Sequence, residues 1–92
     1  MSDGHTYTML VFTDTFFDAL LGSEFSAAER RRFARALELL DTNERHPSLR
    51  VHQLRGDLAG IRSASASDEL RMTFERFPEG KKRMLNCSRH YR

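Results

Sequence analysis

The spacing of the apolar residues changes once along this chain, near Pro47, and that change limits the folds available to it. Before it, apolar residues recur three and four apart, as on one face of a helix: Phe33, Ala36, Leu37 and Leu40. After it, apolar and polar residues alternate, as they do along half-buried strands. Helices followed by a run of strands are typical of an α+β domain, in which the helices cover one face of the sheet. We therefore predict a single α+β domain over residues 1–92.

The front of the chain predicts one strand and two helices. Residues 7–13 are rich in β-branched and aromatic residues and contain no breaker, which favours a strand. A short helix capped by Asp14 or Thr15 follows it. The second helix is expected to begin after Ser26, because Ser26 and Glu29 have the spacing of a capping box.

A meander of four antiparallel strands is expected after Pro47, at about residues 49–54, 60–66, 70–77 and 82–88. If Ser67-Asp68 forms a two-residue hairpin loop, Arg62 pairs with Thr73. If the next loop spans residues 78–81, the expected pairs are Phe74 with Leu85, Met72 with Cys87 and Arg71 with Ser88.

This register divides the predicted sheet into two faces, because residues two apart on a strand share a face. The core face, under the helices, is expected to hold Leu70, Met72, Phe74, Leu85 and Cys87, with Ile61, Ser63 and Ser65 beside them. The opposite face collects Arg62, Arg71, Thr73, Asn86, Ser88 and, if the strand continues, His90. The sequence thus predicts two arginines and a histidine together, away from the helices.

The charge of the chain is divided between its halves. Residues 1–44 hold 4 Lys/Arg against 8 Asp/Glu, whereas residues 45–92 hold 11 against 5. A one-sided positive field favours a polyanion such as nucleic acid as a partner.

Several classes of protein are excluded by composition. Cys87 is the one cysteine, so no internal disulfide forms, which fits a reducing compartment. No apolar run approaches the ~18 residues that cross a bilayer, and residues 1–5 lack the features of a signal peptide. The four histidines lack metal-ligand spacing. We expect a cytoplasmic protein with no membrane partner, no metal and no cofactor.

Two guanidiniums and an imidazole at one place suit the cleavage of a phosphodiester. Arginine binds phosphate oxygens through parallel hydrogen bonds and offsets charge that develops in the transition state. Histidine gives or takes a proton near neutral pH. RNA carries its own nucleophile, the 2′-OH, so this chemistry requires no metal. Tyr91 would stack on a base or hydrogen-bond the phosphate. The plainer interpretation, solvated surface side chains for the arginines and histidines, stays open.

Four short motifs in the second half resemble the RelE/ParE toxin superfamily of bacterial and archaeal toxin–antitoxin pairs. They are LRVHQLRG at 49–56, GIRS at 60–63, DELRMTF at 68–74 and CSRHY at 87–91. The resemblance covers residues 49–92 well, and the front half only in its layout. It implies a compact RNase-like α+β fold. RelE-type members enter the ribosomal A site and cut mRNA by a metal-free 2′-OH attack, whereas ParE-type members poison DNA gyrase, and both are silenced by a cognate antitoxin.

The resemblance also implies roles for individual residues. Arg71 matches the arginine that binds the scissile phosphate, and Arg62 falls where many members have a basic residue. His90 and Tyr91 resemble a terminal pair that one nuclease branch uses for proton transfer and substrate positioning. These four are the predicted catalytic residues.

Substrate binding is predicted for a second group of residues: Arg50, His52, Arg55 and Arg89. His52 matches a histidine of a related branch. Ser48, Ala64 and Ser65 stand where nuclease members have catalytic or basic side chains, so the general base is open between His52 and His90.

The resemblance and the predicted sheet face together indicate the toxin of a type II toxin–antitoxin system, acting as a ribosome-dependent mRNA endonuclease. Its expected partners are a cognate antitoxin and mRNA in the ribosomal A site. Two alternatives stay open: a non-enzymatic inhibitor of DNA gyrase, and a toxin homologue of weak activity that only binds its antitoxin.

Overall fold

A computed structural model describes residues 4–58 and 60–89 and contains two helices packed on a mixed sheet. The helices and strands are β1 (Leu10–Phe12), α1 (Asp14–Leu21), α2 (Ala27–Thr42), β2 (His52–Gln53), β3 (Ile61–Ser65), β4 (Leu70–Arg76) and β5 (Lys82–Arg89). Within this part of the chain the strand order is β1-β5-β4-β3-β2. β1 runs parallel to β5, and the other neighbours are antiparallel. The predicted α+β fold is confirmed.

The two helices begin at side-chain caps. The Ser26 hydroxyl accepts from the Glu29 N–H at 3.1 Å, and the Glu29 carboxylate accepts from the Ser26 N–H at 2.9 Å, so the predicted capping box is confirmed. The cap expected at Asp14 or Thr15 is wrong. Thr13 is the cap, because its hydroxyl accepts from Phe16 N–H at 3.1 Å while it donates to the Met84 carbonyl at 2.8 Å. This second bond ties the start of α1 to β5.

One core lies between the helices and the sheet. Its largest fully buried members from the helices are Phe16, Leu20, Phe33, Leu37 and Leu40, and those from the sheet are Leu70, Met72, Phe74 and Met84. Burial removes each of these side chains from water, which stabilises the fold by about 1.5–3 kcal/mol apiece. The apolar stripe predicted on α2 is therefore its core face. Within residues 4–58 and 60–89, neither helix is long and apolar enough to cross a bilayer.

A bulge in β4 and β5 changes part of the predicted pairing. Arg71 pairs with Ser88 and Met72 with Cys87, as expected. A register shift between Thr73 and Phe74 then pairs Phe74 with Met84 instead of Leu85. Met84 is consequently the buried residue and Leu85 is only half-buried, so the core position predicted for Leu85 is wrong.

The turn between β3 and β4 is wider than the predicted two-residue loop. The Ser67 hydroxyl accepts from the N–H groups of Glu69 at 3.3 Å and Leu70 at 3.2 Å, and the Ala66 N–H donates to the Leu70 carbonyl at 2.8 Å. β3 is thereby moved one residue along β4. Since a one-residue slip turns every side chain to the other face, the predicted face of each β3 residue is reversed.

The segment before β1 is held by one buried carboxylate near the end of α2. Asp41 accepts hydrogen bonds from the N–H groups of Met9 at 2.6 Å and Thr8 at 3.2 Å, and lies 3.0 Å from Nε2 of His5. Burial alone would raise the pKa of Asp41, but the hydrogen bonds from Met9, His5 and Thr8 outweigh it and hold that pKa below its usual value. The charged form of Asp41 therefore fixes the chain that enters β1.

Candidate active site

The sheet face away from the helices carries two rows of polar side chains, which we call the outer face. The first row crosses four strands through the paired residues His52, Ser63, Thr73 and Asn86. The second row contains Ser65, Arg71 and Ser88. Residues two apart on a strand share a face, so the two rows lie side by side. Ser63 and Ser65 are buried, whereas His52, Asn86 and Ser88 are exposed.

Arg71 is held in position by the turn that precedes it. Its Nη1 donates to the Ser67 carbonyl at 2.7 Å and approaches the Leu70 carbonyl at 3.3 Å. Within the described residues, its Nη2 and Nε donate no hydrogen bond, so they are available to a ligand. A guanidinium anchored on one side in this way can bind a phosphate with little further loss of side-chain freedom.

At the edge of the outer face, His52 has one ring nitrogen that bonds no group in the part of the chain that the structure describes. Its Nδ1 lies 2.9 Å from the Arg50 carbonyl. A carbonyl only accepts hydrogen bonds, so Nδ1 carries the proton in this contact and Nε2 of the neutral ring is left as an acceptor. Strand spacing puts the backbones of His52 and Arg71 ~10 Å apart across the sheet and ~7 Å apart along it. The two side chains therefore border one stretch of the outer face.

Arg62 does not share the outer face with Arg71, and the predicted pairing of the two guanidiniums is wrong. Arg62 pairs with Phe74, whose side chain is fully buried in the core. The wider turn at Ser67 is the cause, since it shifts β3 by one residue. The same shift brings Ser63 and Ser65, which the sequence register assigned to the core face, onto the outer face.

Arg89 is not directed to the outer face either. It pairs with Leu70 and so lies on the helix face of the sheet. Its guanidinium bonds the Glu29 carboxylate and the Glu24 carbonyl, and it stands over the Phe25 ring at 5.5 Å. The side-chain hydrogen bond from Arg89 lowers the pKa of Glu29 to about 2. The substrate-facing position expected of Arg89 is therefore corrected to a bridge between β5 and α2.

Of the other predicted site residues, Arg50 and Arg55 lie within the described part of the chain, and His90 and Tyr91 do not. Arg50 is exposed and lies 3.5 Å from Asp68, in the turn that holds Arg71. Arg55 is exposed next to the short helical turn Gly56–Leu58. His90 and Tyr91 lie outside the described residues, and their roles stay predictions.

Two further observations limit the chemistry of the site. No group of three His, Cys, Asp or Glu side chains in residues 4–58 and 60–89 is arranged to hold a metal ion. Cys87 is buried on the core face, and burial raises the pKa of its thiol to about 11. A protonated thiol is a poor nucleophile, so Cys87 acts as a core side chain, as the alternation indicated.

Comparisons with known proteins give a likeness in structure only. No protein-family model matches the sequence, and no curated protein sequence matches it. Solved structures do match. The YoeB/ParE toxin from Agrobacterium tumefaciens superposes with a TM-score of 0.72 at 20% identity, covering 91% of this chain and 100% of that one.

Two structures of toxin–antitoxin complexes are similar as well. The YoeB–YefM complex from Staphylococcus aureus gives a TM-score of 0.71 at 16% identity over 95% of this chain and 100% of that one. The RelBE2 complex from Mycobacterium tuberculosis gives 0.61 at 20% identity over 92% of this chain and 100% of that one. The chain has the RelE/YoeB-like toxin fold. The RelE-like architecture that the motifs implied is thus present over nearly the whole length of these toxins.

Proposed function

We propose that this chain is the toxin of a type II toxin–antitoxin system and that it cuts mRNA in the ribosomal A site. The observation that carries the proposal is the shared outer face of Arg71 and His52, one anchored guanidinium and one imidazole with a free nitrogen. The fold shared with solved YoeB and RelE toxins supports it.

Cleavage would follow the route that RNA itself makes available. Arg71 binds the scissile phosphate through Nη2 and Nε and offsets the charge that accumulates on its oxygens. His52 takes the proton of the 2′-OH through Nε2, and the oxygen attacks the adjacent phosphorus. The bond to the 5′-oxygen breaks, and that oxygen takes a proton from His90. The products are a 2′,3′-cyclic phosphate and a 5′-hydroxyl end.

The remaining predicted residues have smaller parts in this scheme. Tyr91 would position the substrate base, and Arg50 and Arg55 would attract the phosphate backbone from the exposed edge of the sheet. Arg62 takes no part in this cleavage scheme, because its position on β3 directs it to the helix face of the sheet. Its catalytic role is a prediction that the following experiment decides.

The test compares Arg71→Ala with Arg62→Ala, since both arginines are half-buried and lie on neighbouring strands. Each variant is induced in a bacterial host, and primer extension maps the 5′ ends of cellular mRNA. We expect wild type and Arg62→Ala to cut, and Arg71→Ala to cut about 10²–10³-fold less, as for loss of a transition-state donor. Undiminished cutting by Arg71→Ala, or equal loss in Arg62→Ala, contradicts the proposal.

The same cultures separate the alternatives. Growth arrest with intact mRNA and inhibited DNA supercoiling would indicate a gyrase inhibitor instead. An absence of arrest, combined with tight binding to an antitoxin, would indicate an inactive homologue.

An antitoxin partner is part of the proposal, because similar structures include the YoeB–YefM and RelBE2 complexes. We expect the reading frame beside this one to encode a small acidic protein that abolishes the arrest when it is co-expressed. The excess of positive charge in residues 45–92 is consistent with an acidic partner.

A further inference from the structure

A second concave surface lies between α2 and the turn that joins β3 to β4, and we call it the α2 cleft. One wall belongs to the helix and includes Arg32, Arg35, Ala36, Glu38 and Leu39, and the opposite wall includes Ala66 and Ser67. Its volume is about 760 Å³. Sites for small molecules usually have volumes of about 300–1,000 Å³, so the cleft has the size of one.

The helix wall of the cleft is positive on balance, because it carries two arginines, Arg32 and Arg35, against one carboxylate, Glu38. Arg32 and Arg35 are exposed, and within the described residues neither makes an ion pair or a side-chain hydrogen bond. By contrast, Arg76 and Arg83 are paired with glutamates. Arg32 and Arg35 are three residues apart on the helix, so their guanidiniums emerge on the same side and can converge on one anion.

The floor of the cleft is apolar. Ala36 is buried, and Leu39 and Ala66 are half-buried, so a flat ring could lie between the helix and the turn. An apolar floor with a few polar groups at one end is the usual composition of a small-molecule site. The cleft therefore favours a molecule with a flat apolar part and an anionic group.

We propose that the α2 cleft binds a nucleoside phosphate, with the phosphate between Arg32 and Arg35 and the base on Ala36, Leu39 and Ala66. This inference does not depend on the nuclease function. Occupancy would nevertheless act on Arg71, because the carbonyl of Ser67 in the cleft wall accepts the 2.7 Å bond from Arg71 Nη1. The cleft and the outer face thus share one turn.

The test is a titration of the ¹⁵N-labelled full chain, made by cell-free synthesis, with AMP and separately with inorganic phosphate at equal ionic strength. We expect AMP to give saturable shifts at the amides of Ala36, Ala66 and Ser67 and at the Nε–H of Arg71. Inorganic phosphate should bind more weakly, because it leaves the apolar floor exposed to water.

Matched charge reversals on α2 separate a site from a diffuse field. Arg35→Glu and Arg32→Glu are expected to weaken AMP binding at least ~10-fold, the effect of losing one charge-assisted contact. Arg31→Glu changes the net charge equally but lines a different groove, between α1 and α2, and should leave the affinity within ~2-fold. The spectra report whether each variant is folded.

Three results would overturn the inference. The first is an absence of cleft shifts at millimolar AMP. The second is equal weakening by Arg31→Glu, which would indicate general attraction between charges. The third is binding of inorganic phosphate as tight as that of AMP. None of these results bears on mRNA cleavage, which is measured without added nucleotide.

Discussion

Replacing Asp41 with alanine should destabilise the protein strongly, although local helix energetics favour the substitution. Asp41 lies in the last turn of α2, where a negative charge is unfavourable to the helix dipole. Alanine also has the higher helix propensity. If the carboxylate did nothing else, Asp41→Ala would stabilise the chain by about 1 kcal/mol.

The hydrogen bonds of Asp41 outweigh this gain, so Asp41→Ala is expected to destabilise the protein. The carboxylate accepts from two backbone N–H groups, those of Met9 at 2.6 Å and Thr8 at 3.2 Å. Hydrogen bonds to a charged group contribute about 1.5–3 kcal/mol each, or about 3–6 kcal/mol for the pair. Subtracting the ~1 kcal/mol gained by the helix leaves a net loss of about 2–5 kcal/mol.

Urea denaturation monitored by circular dichroism measures this loss directly, with Thr42→Ala, at the exposed neighbour, as a control for changes at the end of the helix. Asp41→Asn should fall between wild type and Asp41→Ala, because the amide keeps one acceptor oxygen without the charge. Unchanged or increased stability in Asp41→Ala would refute the assignment of the carboxylate as the anchor of the segment before β1.

Two further outcomes follow from groups whose pKa values are shifted. The Arg89 contact lowers the pKa of Glu29 from 4.5 to about 2, so the stabilisation from this ion pair is complete above about pH 4.5 and is lost as the pH falls through 2. The stability difference between wild type and Glu29→Gln, from urea titrations, should therefore shrink over that range. A constant difference would contradict the ion pair. Burial raises the pKa of Cys87 to about 11, so Ellman's reagent at pH 8 should label the thiol rapidly only after guanidinium denaturation, and fast labelling of the native chain would refute its burial.

The elements of this fold were predictable because their signals are local. The capping box of Ser26 and Glu29 and the stripe that includes Phe33 and Leu37 depend on residues within one or two turns of helix. The alternation in β4 likewise reported the buried side chains of Met72 and Phe74. Each of these patterns is repeated over several residues, so one exception does not hide it.

The register of β3 was not predictable from its own residues. Its middle is Ser63-Ala64-Ser65, three small side chains with no apolar alternation to distinguish one face from the other. The register is set instead by the turn, where the Ser67 hydroxyl accepts hydrogen bonds from two backbone N–H groups and so holds a wider loop. Hence Arg71 was assigned to the correct face and Arg62 to the wrong one.

The pairing of β1 with β5 has a consequence for how the chain matures during synthesis. β5 lies between β1 and β4, and the bond from Thr13 to Met84 joins residues 71 apart in sequence. In a nascent chain that lacks β5, β1 and β4 have no strand between them and so share no backbone hydrogen bonds through the sheet. The five-stranded sheet, and any activity that needs it, can form only after β5 has left the exit tunnel.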